Sequence, residues 1–361
     1  MSVNNDAIRH ILTGEFCKSN YENVTSLEMA SSKPLNKPIY TYNTENKVWR
    51  IAKEIFSVII FPIGLYRLIH LVAGKVIVPA SSLALMECNS HHADQSRKAI
   101  SLIDEWKVKR IAVEVDGYVI DAAITGKAST LENGRWVLLS NGNGEFYEDK
   151  LKDCSFKHML SELKSNAIVF NYPGVGSSTG MPNRNAMAKA YRAMLEFLEN
   201  IEEGIGAKEI IGYGHSIGGG VQGDALLFHE LKRDVRYVFV KSRTFSDLST
   251  TASHLTNGLL GLFVKVFGWN MSSVESSKKL KAPEIIMQTA EVLDCSNISN
   301  SSEIRHDGVI PVEASLAKKL LDDKTSFIGK KYFMGIPESH NCSLKNPTHL
   351  IDKINEMLRD D

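Results

Sequence analysis

The sequence predicts an α/β protein: a mostly parallel central sheet with helices on both faces and a helical N-terminal extension. Three observations carry this. From Arg110 onward, short β-branched apolar runs alternate with helix-length segments, the pattern of buried parallel strands and their crossover helices. Within that series a glycine-flanked serine stands where a strand turns directly into a helix. The chain of 361 residues is 43% hydrophobic, enough for one large core with an extension.

Residues 1–44 are polar, rich in Asn, Ser and Thr, and lack apolar periodicity, so a weakly ordered arm is expected there. Residues 45–108 read as a helical, partly hydrophobic extension. Its run VWRIAKEIFSVIIFPIGLYRLIHLVAGKVIVPAS is the most apolar of the chain, yet only Ile55 to Tyr66 is free of charge before Arg67. Such a helix reaches roughly 18 Å against a hydrocarbon core of about 30 Å. An arginine near mid-membrane costs on the order of 3 kcal/mol. A helix pair packed on the protein itself leads; peripheral membrane contact through 55–79 and a true span stay open. Residues 83–107 keep a helical pattern. Cys88, His91 and His92 within it are not read as a metal site, because neighbouring helical side chains point about 100° apart.

Residues 109–361 carry the sheet. KRIAVEVDGYVIDAAITGK alternates about Asp116-Gly117 and predicts an antiparallel hairpin. Strands follow at WVLLS 136–140, AIVFNY 167–172, EIIGYG 209–214, VRYVFVKS 235–242, EIIMQTA 284–290 and KKYFMGI 330–336. Between them, NAMAKAYRAMLEFLENI and GGGVQGDALLFHELK place apolar residues three and four apart, as amphipathic helices do.

Composition narrows the function. Lysine plus arginine number 42 against 42 acidic residues, so no whole-protein field holds a phosphate backbone and no nucleic-acid partner is expected. Five scattered cysteines without a Cys-x-x-Cys pair fit a reducing compartment rather than a zinc ribbon. MSVNNDAIRHILTGEF lacks the basic and apolar segments of a standard signal peptide, so a cytoplasmic location is expected, with export by another route left open.

The chemistry centres on Gly214, Ser216 and Gly218, a G-x-S-x-G at a strand-to-helix turn. So sharp a turn leaves no room for Cβ atoms two residues either side of the serine. It pushes Ser216 Oγ outward and aims the Ile217 N–H, at a helix N-terminus, at a developing oxyanion. A phosphate-binding glycine turn is the competing use, but the lysine it needs is absent. A serine hydroxyl also needs an adjacent base, and eleven histidines compete for that role.

Over roughly residues 110–361 the sequence resembles the α/β-hydrolase superfamily. WVLLSNGNGEFYE looks like its third strand and oxyanion loop, with Asn141 in place of the usual histidine; NYPGVGSSTGMPN resembles the loop after its fourth strand. The resemblance implies an order of serine, acid, histidine. It therefore points to His340, four residues after the last strand, rather than His349 in a C-terminal helix or His215 beside the serine. It points to Asp307, just before Ile310-Pro311 and a helix, with Asp294 as the alternative acid. The second oxyanion N–H falls on Asn143, with Gly144 as competitor. The lid falls at about 243–283, where Leu259, Leu260, Leu262, Phe263, Val266, Phe267 and Trp269 either line an acyl cavity or cover the sheet; Phe263, Phe267 and Trp269 are the substrate-binding candidates. The extra residues between strand 284–290 and Asp307 would form a flap over the site. A finer resemblance is to hydrolase-like proteins that intracellular bacterial pathogens deliver into hosts. The implied activity is cleavage of an ester or thioester, possible lipid esters included, with no metal or organic cofactor. An acyltransferase, or a non-catalytic relative that binds a membrane or partner through its N-terminal segment, would use the same fold.

Overall fold

The computed structural model describes residues 38–43, 61–81, 106–127, 129–130, 133–255, 258–323 and 327–359. The expectations for residues 1–37, for Ile55 to Ile60 and for the helical stretch with Cys88, His91 and His92 lie outside these residues.

The elements run β1 (Ile39–Tyr40), α1 (Phe61–Ile77), β2 (Trp106–Val115), β3 (Tyr118–Lys127), β4 (Arg135–Ser140), α2 (Tyr147–Lys152), α3 (Cys154–Glu162) and β5 (Asn166–Phe170). They continue with α4 (Arg184–Glu199), β6 (Glu209–His215), α5 (Ile217–Leu226), β7 (Arg236–Ser242), α6 (Leu248–Leu255), α7 (Leu259–Val266) and α8 (Ser273–Lys279). The last are β8 (Glu284–Thr289), β9 (Ser296–Asn297), α9 (Leu316–Asp322), β10 (Lys331–Ile336) and α10 (Thr348–Arg359).

The described strands form one sheet in the order β1-β2-β3-β5-β4-β6-β7-β8-β10-β9. All neighbours are parallel except where β3 and β9 take part. The β2–β3 hairpin forms as expected: Asp116 and Gly117 have φ of 50° and 87°, the pair of positive angles a tight hairpin turn requires.

Strand alternation sorts the core into two layers. Trp136, Leu138, Ile168, Phe170, Ile210 and Phe239 face one side, where they meet Met187, Tyr191 and Met194 of α4 and Val221 of α5. Val137, Leu139, Val169, Ile211, Val238 and Val240 face the other, against Phe156 and Leu160 of α3 and Leu350, Ile354 and Met357 of α10. The catalytic-type loops therefore gather at the carboxyl edge of a sheet clamped from both faces.

Two features depart from expectation. Residues 39–43, in the arm, are built into the sheet: β1 pairs with β2, and the Tyr42 and Asn43 amides donate to Asp116 Oδ1 at 2.8 and 3.0 Å. The extra residues before Asp307 supply β9, which pairs antiparallel with β10, while Ile298 and Ile304 are buried in a small core of their own. That segment closes a sheet edge rather than forming a flap, because an open β10 would leave a row of unpaired backbone groups. Among the described residues no helix is long and apolar enough to cross a membrane.

Candidate active site

β6 delivers its last residue, His215, to Ser216, and α5 starts at Ile217. Ser216 has φ 54° and ψ −122°, a left-handed conformation that L-residues avoid. The flanking glycines make it possible. A Cβ on Gly214 would stand 2.8 Å from the Gly218 carbonyl, and one on Gly218 would stand 2.1 Å from the Ser140 carbonyl. The turn is pinned from β7: the Ser216 N–H donates to the Ser242 carbonyl at 3.0 Å, and Thr244 Oγ1 donates to the Ser216 carbonyl at 2.7 Å. α5 has no preceding helical turn to accept its first amides, so the Ile217 N–H lies at a helix start beside the serine.

His340 is reached from β10 and Asp307 from the loop beyond β8. The His340 Nδ1 to Asp307 Oδ2 distance is 2.8 Å, and the His340 N–H donates to the Asp307 carbonyl at 2.6 Å. Asp307 Oδ1 accepts from the Val309 and Ile310 amides at 2.8 and 2.6 Å, and Gln288 Nε2 reaches Oδ2 at 3.4 Å. Burial alone would raise the Asp307 pKa, but its hydrogen bond and charge interaction with His340 and the two amides outweigh that and hold it below the usual carboxylate value. With Nδ1 engaged, Nε2 is the ring atom left for proton transfer. The His340 ring centroid lies 4.9 Å from that of His215, the residue preceding Ser216, so the imidazole stands beside the elbow.

Asp294, the other candidate acid, sits on an exposed turn where it accepts from the Asn346 side chain at 2.9 Å. His349 lies in α10, with Nε2 2.8 Å from the Tyr332 hydroxyl. The structure thus brings Asp307, not Asp294, and His340, not His349, to the elbow.

The loop after β4 runs alongside. Asn141 is buried and donates to the Phe170 carbonyl at 3.3 Å, and Tyr172 donates from its hydroxyl to the Asn141 carbonyl at 2.7 Å. Asn143 and Gly144 form its exposed turn. The Gly142 N–H donates to Glu145 Oε2 at 2.7 Å, and a Cβ on Gly142 would stand 3.4 Å from the His215 ring, so this loop borders the site.

A cavity of about 100 Å3 opens here, lined by Glu145, Lys150, Phe156, His215, Arg243 and His340, among others. Phe263, Phe267 and Trp269 are not among its walls. Trp269 is only 1% exposed and is a core residue that packs against Gly74 of α1; Phe263 and Phe267 pack on each other with ring centroids 4.4 Å apart. Rather than lining this cavity, Phe263 and Phe267 pack partly buried against the core that holds Val264 and Trp269. Among the described residues no group of three His, Cys, Asp or Glu is placed to hold a metal ion.

The sequence reading missed Arg243 and Thr244. Their signal was positional, since they follow β7 at the sheet edge where this topology gathers its functional loops.

The structure is similar to that of an α/β hydrolase from Vibrio vulnificus, with 15% identity, a TM-score of 0.53, and 90% of this chain and 98% of that chain covered. It is also similar to the esterase Pf2001 of Pyrococcus furiosus, with 15% identity, a TM-score of 0.50, and 71% and 90% covered. Comparison with curated proteins finds no match. The family model described as Chlamydia CHLPS protein (DUF818) matches residues 24–360. On that match the chain belongs to the Chlamydia CHLPS protein (DUF818) family, and its architecture is the α/β-hydrolase fold.

Proposed function

We propose that this protein is a serine hydrolase that cleaves an ester or thioester through an acyl-Ser216 intermediate. The observation that carries the reading is the buried His340–Asp307 pair, at 2.8 Å, standing beside a serine held at a strained strand-to-helix turn. In the first step Ser216 Oγ attacks the substrate carbonyl carbon while His340 Nε2 takes the hydroxyl proton. Asp307 stays ionised and steadies the imidazolium; the Ile217 and Asn143 amides hold the oxyanion. His340 returns the proton to the leaving alcohol or thiol. Water, deprotonated by the same nitrogen, then releases the acid and restores the serine.

The small cavity beside His340 suits one short arm of the substrate, with the remainder projecting out. Two helices extend the proposal to a lipid ester met at a membrane surface. α1 exposes Leu65, Leu68, Val72 and Val76, and α7 exposes Leu259, Leu262 and Val266, both at helical spacing along one stripe. Lys75 and Lys265 follow at positions adjoining the stripes, as interfacial helices on anionic lipid place them.

The test is covalent labelling of the full chain with a fluorophosphonate, read by mass spectrometry of the peptide containing Ser216. An adduct on Ser216, absent in Ser216→Ala, is expected, with hydrolysis of p-nitrophenyl acetate reduced about four orders of magnitude in that variant. Unchanged hydrolysis in Ser216→Ala would refute the reading.

A further inference from the structure

Three consecutive residues, the last of β7 and the two that follow it, tie the nucleophile to the base. Ser242 accepts the Ser216 N–H and Thr244 donates to the Ser216 carbonyl, so both flank the elbow. Arg243 lies between them and turns the other way. Its backbone is left-handed, φ 45°, and its N–H is fixed to the Met287 carbonyl of β8 at 2.8 Å. Its guanidinium crosses to the loop that carries His340. Nη1 donates to the Ser339 carbonyl at 2.5 Å and to the Cys342 carbonyl at 2.7 Å, and Nε reaches Ser242 Oγ at 3.2 Å. The two acceptors bracket His340.

The chemistry of this contact is specific. Arg243 is only 4% exposed, and among the described residues no carboxylate lies within ion-pair distance of it. A buried cation without a counter-ion is costly, so its partners must be worth keeping. Here they are carbonyls that a rigid fork of N–H donors can reach together, which a neutral side chain cannot reproduce. The His340 N–H ties the loop to the Asp307 carbonyl at 2.6 Å, and the Cys342 N–H bonds within the loop, to the Ser339 carbonyl at 3.1 Å; the bonds from Arg243 are what join the residues on either side of His340 to the end of β7.

We propose that Arg243 is a positioning residue: it pins the 339–342 loop to the end of β7, so that the alignment of the His340 imidazole with Ser216 depends on it. The step rests on the serine-hydrolase reading for its catalytic consequence, but the pinning itself does not. Arg243 moves no proton and touches no reacting atom in this scheme. Because residues 242–244 hold the elbow with one hand and the base loop with the other, a shift of the loop changes the distance between them directly.

The experiment compares the full-length wild type with Arg243→Gln and Arg243→Lys. Two readouts are taken: amide hydrogen exchange of the peptide covering 338–343, and kcat and KM for p-nitrophenyl acetate. In Arg243→Gln, exchange in that peptide should rise about tenfold with β6 and β7 unchanged. kcat should fall about 100-fold with KM nearly constant, as a misplacement near 1 Å produces. Arg243→Lys, which keeps the charge and can reach one carbonyl, should recover part of both. Wild-type exchange in Arg243→Gln overturns the proposal, whatever happens to kcat; so does faster exchange with unchanged kcat. If Arg243→Gln does not fold, Arg243→Lys decides: it should show faster loop exchange and lower kcat than wild type, and wild-type values for both overturn the proposal. If the wild type takes no fluorophosphonate and hydrolyses nothing, the serine-hydrolase reading fails, and the exchange comparison alone still decides whether Arg243 pins the loop.

Discussion

Ser216 occupies a backbone geometry that costs an L-residue roughly 1–2 kcal/mol, and its neighbours are arranged to hold it there. His215 is the residue before it. Desolvation of its ring, then the positive charge of Arg243, hold its pKa well below the ordinary histidine value. The sign of the pH effect follows. The unfolded chain takes up a proton on this residue near pH 6.5 and the folded chain does not, so acidification favours unfolding. Stability is full above the unfolded value and declines as pH falls below it. His215→Gln should therefore lose less stability than wild type between pH 7 and pH 5, by up to about 2 kcal/mol, in urea unfolding at the two pH values. Equal losses would show that His215 is protonated in the folded state. The elbow itself was legible in the sequence because it needs glycine at two fixed positions, and glycine there has a steric cause. Arg243 was not legible: a buried arginine bonded to carbonyls 96 and 99 residues away leaves no local pattern.

At the scale of elements, legibility follows length and periodicity. The β2–β3 hairpin could be read because ten residue pairs alternate about an Asp-Gly turn. β1 and β9 could not, since two residues each carry no period and owe their place to neighbouring strands. The α7 region shows the same limit from the other side. Its apolar residues were visible, but which of them face inward is set by tertiary packing: Val264 and Trp269 are buried, while Leu259 is 77% exposed and Leu262 60%. The outward stripe repeats on α1 with the same spacing, Leu65, Leu68 and Val72 matching Leu259, Leu262 and Val266. If these stripes meet lipid, the change Leu68→Ser with Val72→Ser should weaken flotation with vesicles containing phosphatidylserine. Each serine removes apolar burial worth about 1.5–3 kcal/mol, so binding should fall at least tenfold. Leu262→Ser should add to that loss. Flotation equal to wild type in the triple variant would remove lipid as the partner of these faces.

Across the whole molecule, the sheet is closed at both ends by segments remote in sequence, β9 on β10 and β1 on β2. The β1 end is tied to the hairpin tip through one carboxylate. Asp116 accepts from the Tyr42 and Asn43 amides, and Lys189 Nζ from α4 reaches its Oδ2 at 2.7 Å and Asn43 Oδ1 at 2.5 Å. Arg192, one helical turn beyond Lys189, lies 4.2 Å over the Tyr42 ring. Residues 39–43 thereby join β2, the hairpin and α4, and the chain that begins at residue 44 should lose more than a tail. Two amide bonds to a charged acceptor, the Tyr42 contact and the cover of the β2 edge go together, a loss of at least about 2 kcal/mol in urea unfolding. The exposed β2 edge should also promote self-association, seen by light scattering. The pH dependence identifies the cause. Burial raises the Asp116 pKa, but Lys189 and the Asn43 and Tyr42 amides lower it further, so its folded value is depressed. A depressed carboxylate stabilises the fold above its unfolded value, near 3.9, and that contribution fades as pH falls through the folded value. The gap between the full and shortened chains should accordingly be widest at neutral pH and narrow below about pH 4. A gap that does not change with pH would assign the loss to the strand pairing and the Tyr42 ring rather than to Asp116.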